Sequence, residues 1–165
     1  MRATWFAILL AVLTPLAACG GTDVGDGNGD ASAGDGGDVD ACVGLECRQV
    51  TCTGGGTTSL SGTVYAPNGT LPLYNVDVYV PNGPLAALPS GAQCDRCGAP
   101  LSGDPVVQAI TDTDGKFVLE NVPVTTDLPL VIQVGKWRRQ VTIPTVPSCV
   151  DTPLAATVTR LPRNK

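Results

Sequence analysis

The clearest structural signal in this chain lies between Pro105 and Pro144, a segment that reads PVVQAITDTDGKFVLENVPVTTDLPLVIQVGKWRRQVTIP. Short apolar runs separated by turn residues predict four strands, at Val106–Thr111, Lys116–Glu120, Leu128–Val134 and Arg138–Ile143. In the second of these strands Phe117 and Leu119 fall on one face, which is typical of a sheet with one covered side. The segment therefore predicts an antiparallel β-sheet.

The turn at residues 111–115, TDTDG, separates the first two of these strands. Asp side chains hydrogen-bond to their own backbone and Gly115 tolerates a positive φ, so we expect a tight hairpin corner. Asp112, Asp114 and nearby Asp104 could instead be paired carboxylates or calcium ligands. No further acidic ligand follows at EF-hand spacing, which favours a structural turn.

The flanking segments add strands to this sheet. We expect strands at Leu60–Tyr65 and Asn75–Val80, joined through the Asn68-Gly69 turn as a hairpin-like pair. Near the end of the chain, Ala155–Thr159 is expected to form a closing strand. Gly 20, Pro 14 and only 4% aromatic residues agree with many turns, short strands and little helix.

Charge and composition exclude several functional classes. Six of the 15 acidic residues lie in residues 20–41. From residue 42 onward nine acidic residues balance nine basic ones, so this part of the chain has no net charge and no nucleic-acid partner is expected. The chain has no His, which removes the usual general base and the commonest metal ligand. We expect no catalytic residue, no metal and no cofactor, and hence a protein that is not an enzyme.

The N-terminus indicates export. Arg2 precedes the apolar run Trp5–Leu13, which predicts a signal peptide over residues 1–18. Leu16-Ala17-Ala18-Cys19 resembles the lipobox of bacterial lipoproteins, in which the Cys is acylated and becomes the new N-terminus. That resemblance implies a lipid anchor at Cys19 and a membrane partner, and Gly20 after the Cys implies the outer membrane of the cell envelope. The alternative is an ordinary cleavage site that happens to precede a Cys.

Residues 19–41 comprise the lipidated Cys and a Gly/Asp-rich disordered tether. A Gly-rich coil of this length has a root-mean-square span of about 25 Å. Its Asp-Gly alternation lacks the bidentate Glu of a calcium loop, so we interpret it as a solvated linker.

Three segments of the chain together resemble the carboxypeptidase regulatory-like domain: Ser61-Gly62-Thr63-Val64, Asn75–Val80 and the TDTDGKF run at residues 111–117. The resemblance covers about residues 59–145. It implies an all-β fold, an antiparallel seven-stranded β-sandwich of transthyretin-like (prealbumin-like) type, in a domain over residues 59–165. It also implies a structural or binding module with no catalytic residue. The lipobox and the GKWRRQ segment resemble secreted lipoproteins of myxobacteria.

If Cys19 is acylated, six cysteines remain, and we interpret them as structural disulfides of an oxidising compartment. They are Cys42, Cys47 and Cys52 in an N-terminal extension over residues 42–58, then Cys94, Cys97 and Cys149. Their pairing is open, and one pairing would fix the long loop at residues 82–103 to the N-terminal cysteines. Two alternatives for Cys94 and Cys97 are a redox pair, or a zinc site completed from the N-terminal cysteines.

A cationic cluster at residues 136–139 is the candidate ligand site, with Trp137, Arg138 and Arg139 as its residues. In an extended strand Trp137 and Arg139 share one face, and Lys136 and Arg138 share the other. A Trp with an Arg suits an envelope polysaccharide or protein. The competing interpretation is that Trp137 packs at the edge of the core.

The sequence therefore predicts a lipid-anchored envelope module with a structural or binding role. The alternatives are an accessory module of a surface enzyme system that holds polysaccharide or protein, and a thiol or metal site at Cys94 and Cys97.

Overall fold

A computed structural model describes residues 42–91 and 100–164, and these residues are mostly strand with very little helix. In chain order the elements are a 3-10 helix at Glu46–Arg48, β1 Ser59–Thr63, β2 Asp77–Pro81, β3 Pro105–Ile110, β4 Lys116–Leu119, β5 Thr126–Val134, β6 Trp137–Thr145, β7 Asp151–Pro153 and α1 Ala156–Thr159. The all-β prediction is confirmed for this part of the chain. Within it, no helix is both long enough and apolar enough to cross a bilayer.

The strands form two sheets, one with the order β4-β1-β7 and one with the order β3-β2-β5-β6. Each sheet turns its apolar face toward a single core, because side chains alternate between the faces of a strand. In β4, Phe117 and Leu119 are buried while Lys116 and Val118 are exposed, as the sequence predicts. The other fully buried core residues are Leu60, Val64, Val76, Val78, Val80, Val122, Leu128, Leu130 and Ile132.

The four strands predicted between Pro105 and Pro144 are present, with no end shifted by more than two residues. β5 and β6 form an antiparallel hairpin closed by Gly135 and Lys136, and Gly135 takes a φ of 53°. These are the only neighbouring strands in the described chain that pair as a hairpin across a two-residue turn. The prediction of four strands was right, but the prediction that all four form one antiparallel sheet was wrong, because β4 lies in the other sheet.

The turn at residues 111–115 is not a hairpin corner. β3 belongs to the four-stranded sheet and β4 to the three-stranded sheet, so this turn carries the chain from one sheet to the other. Thr111 fixes the crossing: its backbone N–H donates to Val76 O at 3.0 Å, its Oγ1 accepts from Val76 N at 2.9 Å, and its hydroxyl donates to Leu73 O at 2.7 Å. Thr111 is buried, so these bonds satisfy groups that solvent does not reach.

The structural interpretation of the Asp residues in this turn is confirmed. The Asp112 Oδ1 atom accepts the backbone N–H groups of Asp114 at 2.9 Å and Lys116 at 2.8 Å. Gly115 takes a φ of 72°, and a Cβ there would lie 3.0 Å from Val64 O and 2.8 Å from Pro72 Cβ. Both the conformation and the space therefore require glycine.

The predicted pairing of the first two strands is wrong, since β1 and β2 lie in different sheets. The chain between them makes its own small loop, in which Tyr65 forms a bridge with Pro72 and the Asn68 Oδ1 atom accepts the N–H groups of Thr70 and Leu71. The bonds from Thr111 then direct the chain into the second sheet.

The predicted closing strand at Ala155–Thr159 is also wrong, because these residues form the short helix α1. The strand beside β1 is β7 instead, and it runs parallel to β1, so the sheets are not wholly antiparallel. Asp151 fixes this pairing by accepting the hydroxyl protons of Ser59 at 2.8 Å and Ser61 at 2.7 Å. α1 is held by the Thr159 hydroxyl, which donates to Thr63 O at 2.6 Å.

The extension at residues 42–58 is fastened to one end of the domain, which we call the entry end and define by Asn82, Thr125 and Cys149. The Asn82 side chain accepts the backbone N–H of Leu45 at 2.8 Å and donates to the carbonyl of Val43 at 3.1 Å. The Arg48 guanidinium donates to Thr125 Oγ1 at 2.8 Å.

Disulfides join Cys42 to Cys47 and Cys52 to Cys149.

The crossing predicts a position-specific loss of stability. Thr111→Val leaves the buried N–H of Val76 without its side-chain acceptor, and we expect a loss of about 1–3 kcal/mol in the free energy of unfolding. Thr113→Val, in the same turn but exposed, is the matched control and should stay within about 0.5 kcal/mol. Urea unfolding of both variants measures the difference, and equal midpoints would contradict the assigned role of Thr111.

The two disulfides predict unequal contributions. Cys52 and Cys149 are 97 residues apart in sequence, and Cys42 and Cys47 only 5, so the first bridge removes far more entropy from the unfolded chain. The paired Ser variant of the long bridge should lose about 4–5 kcal/mol and that of the short bridge about 2 kcal/mol. Denaturant unfolding of the two double variants compares them, and a larger loss for the short bridge would refute this ordering.

Candidate binding site on the outer face of the four-stranded sheet

The outer face of the four-stranded sheet carries a row of polar side chains. The register pairs Asp77 of β2 with Gln133 of β5, and Gln133 with Arg138 of β6, so the three lie side by side across the sheet. The next row contains Tyr79 and Val131, which are both fully buried although they face away from the core. This burial shows that the outer face is covered over its two central strands, whereas Gln108 and Gln140 on the edge strands of the same row are exposed.

The described parts of the long loop between β2 and β3, residues 82–91 and 100–104, lie beside this face. The loop leaves β2 at Asn82, and the Arg138 Nη2 atom on β6 donates to Ala86 O at 2.8 Å. Ala86 N in turn donates to Ser102 Oγ at 2.6 Å, which ties the outgoing and returning parts of the loop together. One arginine on β6 therefore holds the loop in place.

Loop and hairpin enclose a depression of about 220 Å³, which we call the loop–hairpin depression. Its sheet side is formed by Gln133, Gly135, Lys136 and Arg138. Its loop side is formed by residues 86–89, Pro100 and Ser102. Two cationic side chains thus meet a largely apolar wall.

Burial shapes the electrostatics of the polar row. Removal from water raises the pKa of the Asp77 carboxyl above its usual range. The pKa of the Tyr79 phenol is also raised, first by burial and further by the charge of Asp77, while Arg138 acts in the opposite direction. The Tyr79 hydroxyl is 3.4 Å from Gln133 Oε1, to which it donates. The phenol therefore stays protonated and links β2 to β5.

The predicted ligand residues are divided between the two faces of β6. Trp137 packs against the hydrophobic core, and Arg139 donates from Nη1 to Arg160 O at 2.8 Å. Arg138 points to the outer face and lines the loop–hairpin depression with Lys136. The division agrees with the alternation expected for a strand, so Trp137 and Arg138 do not form one site.

The predicted disulfides are confirmed for four of the six cysteines. Cys42, Cys47 and Cys52 are all bonded, so none of them can complete a zinc site or pair with the long loop, and those two alternatives are wrong. Cys19, Cys94 and Cys97 lie outside the described residues. Over residues 42–91 and 100–164, no group of three or more Cys, Asp or Glu side chains is arranged to hold a metal ion.

Sequence reasoning missed Asp77, Gln133 and Ser102 as neighbours of the cationic cluster. Asp77 is a polar residue in an apolar strand, which was a signal that its face is not the core face. Gln133 occupies the equivalent position in β5. No sequence signal placed Ser102 there, because it depends on how the loop returns.

The burial of Asp77 predicts a pH-dependent effect. Because its folded-state pKa is raised, the charged carboxylate destabilises the folded protein at neutral pH, and this cost disappears in acid below the unfolded value of about 3.9. Asp77→Asn should therefore stabilise the protein at neutral pH, by less than about 1 kcal/mol since Asp77 is half-exposed. Asp127→Asn, exposed on β5, is the matched control.

Thermal unfolding at neutral and acid pH measures both variants. We expect the melting temperature of Asp77→Asn to exceed that of the wild type at neutral pH and to equal it in acid. A gain of the same size for Asp127→Asn, or a gain for Asp77→Asn that persists in acid, would contradict burial as the cause.

The depression brings together residues that are far apart in the chain. Residues 86–89 and 100–102 come from one loop, and residues 133–138 from a hairpin, so no contiguous motif defines it. Its assignment rests on geometry alone: no protein-family model, no curated protein and no solved structure matches this chain.

Proposed function

We propose that this chain is an exported lipoprotein, attached to the cell envelope through Cys19, whose folded domain has a structural or binding role and no catalytic one. The envelope membrane concerned is the outer membrane, in keeping with Gly20 after the acylated Cys. The signal peptide over residues 1–18 and the tether up to residue 41 belong to this proposal.

One observation carries it: the chain enters the domain at a single, reinforced end. A disulfide to Cys149 and hydrogen bonds at Asn82 and Thr125 hold the first described residues against the entry end. A tether that joined there would transmit any pull to the body of the domain through a covalent bond. Such reinforcement suits a domain that is held at one end and exposes the other.

The fold supports the family part of the proposal. Two sheets of three and four strands around one core agree with the transthyretin-like β-sandwich of the carboxypeptidase regulatory-like domain. The TDTDG motif at residues 111–115 forms the turn that carries the chain from one sheet to the other, so its residues have a structural role in this protein. We therefore propose that the domain is of this sandwich type.

A second function is favoured by the loop–hairpin depression. A covered outer face, a loop held by Arg138 and two cations beside apolar walls are features of a ligand site rather than of a passive spacer. We propose that the domain is an accessory binding module, presented on the envelope. This role does not require any chemistry from the chain.

Labelling with a fatty acid tests the anchor. Cells that produce the full chain are grown with radiolabelled palmitate and separated into membrane and soluble fractions. We expect the wild type to carry the label in the outer-membrane fraction. The Cys19→Ala variant should lose both the label and the membrane association, because alanine cannot form the thioether that holds the lipid.

Cys97→Ala is the matched control, since it removes one cysteine elsewhere and should leave label and fractionation unchanged. Label retained by Cys19→Ala would place the acyl chain on another residue. An unlabelled wild type in the soluble fraction would refute the lipoprotein proposal.

A further inference from the structure

The loop–hairpin depression contains two cationic side chains whose donors are not used up by the protein. The guanidinium of Arg138 has five N–H groups, and a single bond, to Ala86 O, is made among the described residues. The ammonium of Lys136 makes no hydrogen bond or ion pair within the described chain. The charge of the depression is therefore positive and unneutralised by the residues that line it, none of which is acidic.

The guanidinium is held in a fixed position. Arg138 lies in a regular strand opposite Gln133, and its bond to the loop fixes one nitrogen. The remaining N–H groups form a planar fork, which matches the two oxygens of a carboxylate. Prior ordering of the side chain lowers the entropy lost on binding.

Size and walls restrict the rest of the ligand. At about 220 Å³ the depression is smaller than the roughly 300 Å³ at the lower end of sites for drug-sized molecules, so it suits a single ring or a short acid. Leu88, Pro89 and Pro100 offer an apolar wall, while Ser102 and Gln133 offer polar groups at its edge. A purely inorganic anion would leave the apolar wall unused.

We propose that the loop–hairpin depression binds a small carboxylate with a one-ring or short apolar body, through Arg138 and Lys136. A phosphate fits less well, since phosphate sites commonly add a helix N-terminus or a cluster of free backbone N–H groups, and the N–H of Ala86 is already bonded to Ser102. Two sources share this chemistry, the uronic acid of an acidic polysaccharide and an aliphatic acid.

This inference rests on the proposed binding role, and it is independent of the lipid anchor. Failure of palmitate labelling would leave it untouched, and failure of binding would leave the anchor untouched. The two proposals are therefore tested separately.

A titration of the purified full chain tests the site. The ligands are sodium galacturonate, sodium hexanoate, methyl galactoside and inorganic phosphate, and binding is monitored by the amide NMR signals of Gln133, Gly135 and Ser102. We expect saturable shifts with at least one of the two carboxylates, and the tighter one identifies the source. Neutral methyl galactoside should bind at least about tenfold more weakly than galacturonate, since it cannot form the charged pair.

Three variants locate the binding. Lys136→Gln should weaken it by about three- to tenfold, and Arg138→Gln by at least about tenfold. Lys116→Gln removes the same charge from an exposed position on the other sheet and should leave binding unchanged. Because Arg138 also holds the loop, Lys136→Gln, in the hairpin turn, is the test that does not depend on loop order.

Several results would overturn the proposal. One is the absence of saturable shifts with both carboxylates. Another is phosphate or methyl galactoside binding as tightly as the tighter of the two carboxylates. A third is equal weakening by Lys116→Gln and Lys136→Gln, which would show a general effect of net charge rather than a site.

Discussion

The hydrogen bonds of Thr111 are the constraint on which the two-sheet arrangement depends. Each sheet has an apolar face that must be buried against another element, so neither is expected to be stable alone. Five residues carry the chain from the last position of β3 to the first of β4, and Thr111 binds them to the segment that enters β2. The same side chain thus closes one end of the core and sets where the second sheet begins.

The register that follows from this crossing also creates the outer face of the larger sheet. With β2 fixed beside β3 and β5, Asp77, Gln133 and Arg138 fall in one row. Arg138 then has the loop carbonyl of Ala86 within reach, and Tyr79 in the next row is fully buried. The hydrogen bonds of Thr111 thus determine the strand order, and the strand order determines where Arg138 and Lys136 lie.

The sequence predicted the features that are local and missed those that depend on partners. Alternation of Phe117 and Leu119, and the need for Gly115, follow from neighbours in the chain. An Asp-Gly turn suits a hairpin and a crossing between sheets equally, so the sheet assignment could not be predicted. Ala155–Thr159 has strand-like composition, yet the bond from Thr159 to Thr63 O holds it as a helical turn. At the site, the alternation of strand faces that separates Trp137 from Arg138 was predictable, whereas the approach of the Ala86 carbonyl to Arg138 depends on segments far apart in the chain.

The proposed attachment and the proposed recognition would use different residues of this domain. The extension is bound at the entry end, at Asn82 and Thr125, whereas the hairpin turn at Gly135 and Lys136 forms one side of the depression. A core built mainly from Val and Leu, with few aromatic residues, gains less stability from burial than a larger core would. The disulfide between residues 97 positions apart offsets this loss of stability. The bridge involves none of the residues that line the depression, so it stabilises the domain without using Lys136 or the Arg138 donors that are not bonded to Ala86 O.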